Sequence, residues 1–399
     1  MTKKIKDLPR YPDYVEGQTD HEFLQAAWAL GPIALDKYGF ITAFPQRLLL
    51  EFMDDRWTRQ IELEGMYATG TTSGPMFDFA SNVMLFSNGD VHRKRRGPLA
   101  RTFAHKLIED KRAEVATRCE RMIGALRGRG SVDFLEEIAG PLPAQVIGAM
   151  LGVPEDDMPR FARHVYSAIR GLSLVSPEVR ADSDADMALL TELVAGLIDA
   201  RSETPDDGLV SQYLEKVAGN DLSQQEILAQ MVGLVVAGSD TTRGALTATV
   251  SWLLCNPDQW ALLVEDPDKW VRGAVNEGLR YDPVIGSMGR ITLERREVEG
   301  VSVPEGTLIS ASMLTALRDP EVYADPDRFD ITRQDHPRLH PVFGGGPHRC
   351  LGEALARIEL EEALKALAHM TPDLKLDGEP ARLRGYGAVR TVSGCRVLM

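Results

Sequence analysis

Apolar residues recur at helical spacing over much of the chain, and the clearest such segment begins at Ser223. Ser223 and Glu226 have the spacing of a capping box, in which each side chain satisfies the other residue's free backbone N–H. No proline follows until Pro257, so the pattern allows a helix of about 30 residues, near 45 Å long at ~1.5 Å per residue. Apolar residues lie on both of its sides, which predicts a buried helix through the middle of the molecule.

The rest of the pattern predicts further helices and a smaller set of strands. Residues 92–218 have mostly helical periodicity, and two more helices are predicted over 268–281 and 351–370. The first 60 residues, the segment 291–310 and the chain after Pro372 are typical of short strands around Gly and Pro turns. We find no fixed-period repeat and no linker. The predicted fold class is mainly α with a smaller β portion, in a single domain of residues 1–399.

Composition narrows the classes of partner. The chain has 45 basic and 59 acidic side chains, a formal net charge of -14, which disfavours nucleic acid or an anionic membrane as the main partner. The four cysteines are scattered without a CxxC pair, so a disulfide framework or structural zinc site is not expected. No stretch approaches the ~20 apolar residues that span a bilayer, and the first residues lack an apolar leader. We therefore expect a cytoplasmic monomer.

The most informative segment is Phe343–Gly352, with the sequence FGGGPHRCLG. Three successive glycines let the backbone approach a flat ligand closely. Cys350 follows where a helix is predicted to begin, and the helix end there favours a thiolate over a thiol. A phosphate-binding loop would need the GK[ST] ending that is absent. A buried free cysteine after a flexible loop is the alternative explanation.

This segment resembles the cysteine-ligand loop of the cytochrome P-450 family, F-G-x-G-x-H-x-C-x-G, at every fixed position. The resemblance implies the cytochrome P-450 fold, with the long central helix crossing the haem. It also implies heme b (iron protoporphyrin IX) as cofactor, with the Cys350 thiolate as the metal ligand and Phe343 shielding the sulfur. Thiolate ligation donates electron density that favours O–O cleavage.

A second signature lies within the long helix, where Ala237–Thr242 reads AGSDTT. It resembles the family's oxygen-activation motif, A/G-G-x-D/E-T-T/S. The chemistry needs an acid and a hydroxyl close together to deliver protons, and Asp240 and Thr241 fit those catalytic roles. The alternative is that these polar side chains only bond helix carbonyls, but inside an apolar helix they are costly unless satisfied.

Two further signatures occur in the family's order. Glu277 and Arg280 form E-x-x-R on one helix face; the resemblance implies a buried Glu–Arg–Arg network with Arg328 as its third member, holding the cysteine loop. The sequence His92–Arg96 has the family's H-x-x-x-R pattern. The resemblance implies that the haem propionates are bound by His92, Arg96, Arg290 and His348. Surface placement of these pairs is the alternative explanation.

These signatures favour a monooxygenase that inserts one atom of dioxygen into a hydrophobic small organic molecule. A peroxygenase of the same family would typically lack the acid–alcohol pair, and a haem-thiolate sensor or ligand carrier would not need it. A non-haem metal site from His336, His340, His348 and Cys350 is a weaker alternative, since Pro337 and Pro341 interrupt helical ligand spacing.

Two partners follow from the resemblance. Electrons are expected from a separate ferredoxin-type donor with its reductase, docked on cations at Arg93, Lys94, Arg95, Arg101, Arg349 and Arg357. The hydrophobic substrate is expected against residues from the family's pocket-forming segments: Met76, Phe77, Phe79, Leu172, Leu174, Leu234, Ala237, Val284, Ile285, Met288 and Tyr386.

Overall fold

The computed structural model of the chain describes residues 3–103, 105–171 and 177–399. These residues form sixteen α-helices, which dominate the fold and confirm the predicted class. They are α1 (Asp20–Trp28), α2 (Gln46–Phe52), α3 (Glu64–Ala68), α4 (Pro75–Asn82), α5 (Gly89–Thr102), α6 (His105–Glu109), α7 (Arg112–Leu126), α8 (Pro141–Leu151), α9 (Met158–Arg170), α10 (Pro177–Glu203), α11 (Leu209–Val217), α12 (Gln224–Cys255), α13 (Pro257–Glu265), α14 (Pro267–Tyr281), α15 (Met313–Ala316) and α16 (Glu353–Met370).

The β portion consists of short strands in four small sheets within the described residues. The strands are β1 (Lys3–Lys4), β2 (Ile33–Leu35), β3 (Ile41–Ala43), β4 (Thr58–Gln60), β5 (Ser131–Asp133), β6 (Ser287–Thr292), β7 (Arg296–Val298), β8 (Val301–Val303), β9 (Leu308–Ser312), β10 (Lys375–Leu376), β11 (Leu383–Arg384), β12 (Thr391–Val392) and β13 (Arg396–Leu398). The largest sheet has the order β2-β3-β9-β6-β4, in which only β3 and β9 are parallel.

The long helix predicted from Ser223 is α12, with 32 residues. Its capping box is present: the Glu226 N–H donates to the Ser223 hydroxyl at 3.1 Å, and the Ser223 N–H donates to the Glu226 carboxylate at 2.9 Å. α12 packs against α4, α8, α9, α10, α14 and α16. The prediction of a buried helix through the middle of the molecule is confirmed.

The other helix boundaries differ from the predicted ones for local reasons. α14 begins one residue early, at Pro267, because proline suits the first helical turn and the Asp266 side chain caps it by accepting the Lys269 N–H at 3.1 Å. α16 begins at Glu353 rather than at residue 351, with Gly352 as its N-cap. Cys350 therefore lies just before the helix, in the turn that leads into it.

The buried apolar side chains form a large cluster around α12 and a small one under α1. The small cluster joins Phe23, Leu24 and Phe44 to Leu314. Among the described residues, every helix is too short or too polar to cross a membrane.

Candidate active site

The middle of α12 is buried on most sides but has one open stretch. Ala237 is exposed and Thr241 is partly exposed, whereas their neighbours Val236 and Thr242 are buried. Residues four apart share a helix face, so Ala237 and Thr241 face the same open space. The Thr241 hydroxyl donates to the Ala237 carbonyl oxygen at 2.9 Å. A hydroxyl therefore lies at the edge of an open region within the helical part of the fold.

Asp240, the predicted acid partner of Thr241, lies on the flank of this open face. Its carboxylate forms an ion pair with Arg243, one turn later on α12, at 2.7 Å. The Arg243 guanidinium in turn lies over the Tyr166 ring of α9, with 4.4 Å between its central carbon and the ring centroid. Asp240 thus precedes Thr241 in the helix, and its carboxylate is held by the ion pair with Arg243.

The loop before Cys350 is built from two 3₁₀ turns, Pro341–Phe343 and Gly346–His348. Gly344 and Gly346 have φ values of 71° and 58°, a region that disfavours other residues. A Cβ atom on Gly345 would lie 2.9 Å from the Met53 sulfur. The three glycines are therefore required by the turn and by close packing, and the Cys350 N–H is fixed by donation to the Phe343 carbonyl oxygen at 2.7 Å.

The Cys350 side chain has open space beside it although protein atoms surround the thiol on most sides. Burial raises the pKa of the Cys350 thiol, while the Gly352 N–H and the Arg96 and Arg349 cations act in the opposite direction. The net direction is opposite to the predicted preference for a thiolate. The cost of burying a charge outweighs the help of the helix end, so the protein alone does not stabilise the thiolate.

Three of the predicted propionate-binding residues lie together beside this loop. His92 and His348 stack with 4.1 Å between ring centroids. Arg96, one turn after His92 on α5, donates to the Arg349 carbonyl oxygen at 2.6 Å. Burial lowers the pKa of Arg96, and burial together with His348 and nearby arginines lowers the pKa of His92 to about 4. These groups present donors, including one partly buried guanidinium bonded to a neutral carbonyl, and such a cation favours an anionic partner.

The fourth predicted residue, Arg290 on β6, is fully buried and already well bonded. It donates to the Thr58 hydroxyl at 3.0 Å and the Gln60 side-chain oxygen at 3.1 Å, and it forms an ion pair with Asp55. The same carboxylate lies 3.6 Å from His348 Nε2. Asp55 thus links Arg290 to His348, which in turn contacts His92. The sequence analysis missed Asp55.

The predicted Glu–Arg pair is present and completely buried. The Arg280 guanidinium donates to both Glu277 carboxylate oxygens, at 2.7 and 2.8 Å, and both side chains have 0% exposure. Arg280 also donates to the carbonyl oxygens of Leu317 and Pro326 at 3.0 and 2.8 Å. This pair fixes the chain that returns from α15 towards the cysteine loop.

The prediction that Arg328 is the third member of that network is wrong. Its side chain is 64% exposed and lies 3.7 Å from Asp330, whereas Arg333, 6% exposed, places its Nε 3.3 Å from the Glu277 carboxylate. Arg328 contributes only its carbonyl oxygen, which accepts from Arg280 and Arg333 at 3.1 Å each. The network is therefore Glu277–Arg280–Arg333.

The non-haem alternative finds no support in the geometry. Within the described residues no three or more His, Cys, Asp or Glu side chains group to hold a metal ion. His340 is used structurally, since its ring accepts the Val342 N–H at 3.3 Å and bonds the Asn276 carbonyl oxygen at 3.2 Å. His336 lies beside His340, with 5.9 Å between ring centroids, and its Nε2 is 3.6 Å from the Glu277 carboxylate.

Some of the cations predicted to bind the electron-donor protein lie on the surface, and others are buried or paired within the protein. Arg95 is wrong as a surface cation: it is buried, and it pairs with Glu226 of α12 at 3.0 Å. Arg349 and Arg357 both pair with Glu353, at 2.5 and 3.2 Å. The cations that α5 leaves exposed are Arg93, Lys94 and Arg101.

The predicted pocket residues come from α4, α12 and the segment after α14. Packing joins these elements closely: a Cβ on Gly244 of α12 would lie 2.8 Å from Val284, and one on Gly171 would lie 2.8 Å from Met76. Tyr386 instead packs against Tyr11 and Phe23 beside the small cluster. Leu172 and Leu174 lie outside the described residues. Of the others, Met76, Phe79, Leu234 and Val284 are buried, Phe77, Ile285 and Met288 are half-buried, and Ala237 is exposed.

Sequence analysis also missed a buried acid that bonds Thr242 of α12. Glu359, on α16, is 1% exposed and leaves one carboxylate oxygen without a hydrogen-bond partner in the described structure. Burial raises the pKa of Glu359 to about 8, opposed by a hydrogen bond with Thr242. Its carboxyl is therefore largely neutral at pH 7. Its only sequence signal is an acid on the apolar side of a helix.

Comparison with known proteins agrees with this arrangement. Residues 187–369 match the family model for cytochrome P-450. The plant-inducible cytochrome P-450 pinF1 of Rhizobium radiobacter is 38% identical over 348 residues, which cover 86% of this chain and 81% of that protein. A steroid C26-monooxygenase of Mycobacterium tuberculosis is 33% identical, covering 74% of this chain and 79% of that protein.

Solved structures show the same fold. A cytochrome P-450 in complex with an acyl carrier protein ligated to hexadec-9Z-enoic acid aligns with a TM-score of 0.85 at 25% identity, covering 95% of this chain and 98% of that one. A myxobacterial cytochrome P-450 in complex with myristic acid aligns with a TM-score of 0.83 at 28% identity, covering 95% and 96%. With a cysteine loop, an α12 motif and a Glu–Arg–Arg network in the same chain, this protein belongs to the cytochrome P-450 family and is a monooxygenase of that family.

Proposed function

We propose that the chain binds heme b through the Cys350 thiolate and inserts one atom of dioxygen into a hydrophobic small organic molecule. The observation that carries the proposal is the meeting of donors beside the cysteine loop. His92, Arg96 and His348 adjoin one another and the backbone of Arg349, the residue before Cys350. A dianionic, flat cofactor fits an edge that presents hydrogen-bond donors and the Arg96 cation, next to a thiol that has open space beside it.

The residues have separate tasks in this proposal. Cys350 ligates the iron, and Arg96, His92 and His348 bind the propionates, with Arg290 and Asp55 holding His348 in place. Cys350 would hold the iron in its thiolate form, which the positive charge of a bound metal would favour. When bound, a thiolate-ligated haem supplies reductive activation of dioxygen.

The open face of α12 supplies the proton-handling groups. Thr241 holds a hydroxyl at the edge of the open region, and Asp240 beside it accepts and releases protons. The surrounding pocket residues are mostly apolar, so they exclude water and favour a hydrophobic substrate. The steroid named for one relative, the myristic acid in complex with one structural neighbour and the fatty acid ligated to the acyl carrier protein of another supply the first compounds to test.

Replacing Thr241 with alanine is expected to leave haem content and substrate affinity unchanged while product formed per electron falls on the order of tenfold. The missing electrons are expected as hydrogen peroxide, because the proton that completes the reaction is no longer held in place. Product and hydrogen peroxide are both measured relative to the amount of reductant oxidised. The substrate is the fatty acid or steroid that most perturbs the haem spectrum.

Thr247→Ala is the matched control, since the Thr247 hydroxyl donates to a carbonyl one turn back in α12, at 2.8 Å, as the Thr241 hydroxyl does. Full coupling in Thr241→Ala would contradict the relay. Equal uncoupling in both variants would show that the effect comes from the helix and not from the site.

The electrons come, in this proposal, from a separate ferredoxin-type protein. Arg93 is an exposed cation one turn before Arg96 on α5, and Arg96 bonds the backbone beside Cys350. Arg93→Glu is expected to slow second-order reduction by an acidic ferredoxin about tenfold at low ionic strength, with the difference shrinking as salt is added. Stopped-flow reduction measures this, with exposed Arg163→Glu on α9 as control. Equal rates for Arg93→Glu and the unmodified protein would remove Arg93 from the docking surface.

A further inference from the structure

The Asp240 carboxylate is held by a cation that belongs to the same helix. Asp240 Oδ1 and Arg243 Nη2 are 2.7 Å apart, and the two side chains are 19% and 23% exposed. The Arg243 Nε is buried and has no hydrogen-bond partner in the described part of the chain. A guanidinium in such surroundings depends strongly on the one carboxylate it does contact.

Arg243 is itself supported from outside α12. Its guanidinium carbon lies 4.4 Å from the Tyr166 ring centroid, close enough for a cation–π contact. The Tyr166 hydroxyl donates to the Gly140 carbonyl oxygen at 2.5 Å. Burial raises the pKa of Tyr166, which keeps the phenol protonated as a donor. The ring is therefore fixed at its Cβ by α9 and at its hydroxyl by the backbone just before α8.

Gly140 closes this set of contacts. It follows a π-helical turn, Leu135–Ala139, and a Cβ on it would lie 2.9 Å from the Leu135 carbonyl oxygen and 3.6 Å from the Arg243 side chain. The path of contacts thus runs from the turn before α8, through Tyr166 on α9, to Arg243 and Asp240 on α12. The direction of the Asp240 carboxylate depends on residues that do not touch the open face.

We propose that Arg243 and Tyr166 are positioning residues that set the Asp240 carboxylate for proton transfer next to Thr241. This inference rests on the proton-handling role proposed above for Asp240. Arg243 supplies a positive charge and a planar set of N–H donors that orient the carboxylate. The Tyr166 ring fixes the guanidinium in place. In this proposal both residues act through Asp240, because Arg243 contacts the Asp240 carboxylate and Tyr166 contacts Arg243.

The test compares holoenzyme variants Asp240→Asn, Arg243→Gln and their double variant, with Arg163→Gln of the exposed α9 surface as control. Arg243→Gln is expected to lower kcat on the order of tenfold, with KM within about twofold, and to enlarge the solvent deuterium isotope effect on kcat. The double variant is expected to be no slower than Asp240→Asn. Arg243→Lys keeps the charge without the planar set of donors and is expected to restore part of the rate.

Two substitutions of the tyrosine give a readout besides turnover. Tyr166→Phe keeps the ring and Tyr166→Leu removes it, so the leucine variant is expected to resemble Arg243→Gln more closely than the phenylalanine variant does. Thermal unfolding of Tyr166→Leu, Arg243→Gln and their combination is expected to be non-additive, because each single change already removes the shared contact.

The outcomes separate this inference from the function on which it rests. Slow Asp240→Asn with unaffected Arg243→Gln overturns the positioning role and leaves the proton role of Asp240 in place. Unaffected Asp240→Asn overturns both. Rate losses of Asp240→Asn and Arg243→Gln that multiply in the double variant also overturn the inference, because Arg243 would then act elsewhere.

Discussion

Cys350→Ser is expected to abolish the red-shifted band of the ferrous–CO complex and to lower turnover by more than about 100-fold. Loss of a residue that only hydrogen-bonds a metal ligand already lowers activity by up to about 100-fold. The loss follows from the chemistry of sulfur, whose electron donation a serine oxygen does not match. The loop should still form. Its turns depend on Gly344, Gly346 and the contact between the Cys350 N–H and the Phe343 carbonyl oxygen, none of which involves the thiol.

Cys255→Ser is the matched control, because Cys255 is a half-buried thiol at the end of α12. Its band and its rate should equal those of the unmodified protein. Haem content and the unfolding midpoint are measured on all three proteins. A Cys350→Ser protein that keeps the thiolate band would show that another residue ligates the iron.

The elements that the sequence predicted well are those determined locally. α12 follows from a capping box, the absence of proline and an apolar surface, all of which lie within one segment. The cysteine loop follows from three glycines whose need is visible in their φ angles and in the space beside Gly345. For α12 the local pattern is enough, whereas Gly345 is required by Met53, which is close in space but distant in the chain.

The third arginine could not be predicted in this way. Arg328 and Arg333 lie five residues apart in an irregular segment, where Asp325 has a positive φ of 45°. Without a regular period, side-chain direction does not follow from position in the sequence. The segment turns so that the Arg328 backbone, and not its side chain, reaches Arg280. The motif therefore predicted the correct segment, but the side chain that contacts Glu277 belongs to Arg333.

Long-range partners and burial explain the other differences. Asp55 pairs with Arg290 across 235 residues, and no local pattern connects them. The basic run on α5 contains both a surface cation, Arg93, and a buried one, Arg95, because the helix faces solvent on one side and Glu226 on the other. The pKa of Cys350 rises because of desolvation, which depends on everything packed around the thiol.

Glu277→Ala is expected to destabilise the protein by about 3–5 kcal/mol, the cost of leaving buried charges without their partner. Arg280 and Arg333 would both face the space left by the carboxylate, and Glu277 also accepts the Asp330 N–H at 2.8 Å. The effect should reach the cofactor, because the segment that Arg280 holds by its carbonyl oxygens leads directly into the cysteine loop. The unfolding midpoint and the haem content of purified protein measure the two consequences separately.

A pair of arginine variants tests the corrected network. Arg333→Ala removes a 6% exposed side chain that forms ion pairs with Glu277 and Asp335 and donates to the Ala324 carbonyl oxygen, so it should cost several times more stability than Arg328→Ala. The exposed Arg328 side chain should contribute no more than about 0.5 kcal/mol, the usual scale of a surface substitution, because its carbonyl oxygen remains in the variant. Equal losses in the two variants would restore Arg328 to the network. A large loss in Arg333→Ala alone would show that Arg333, and not Arg328, is the third member of the buried network.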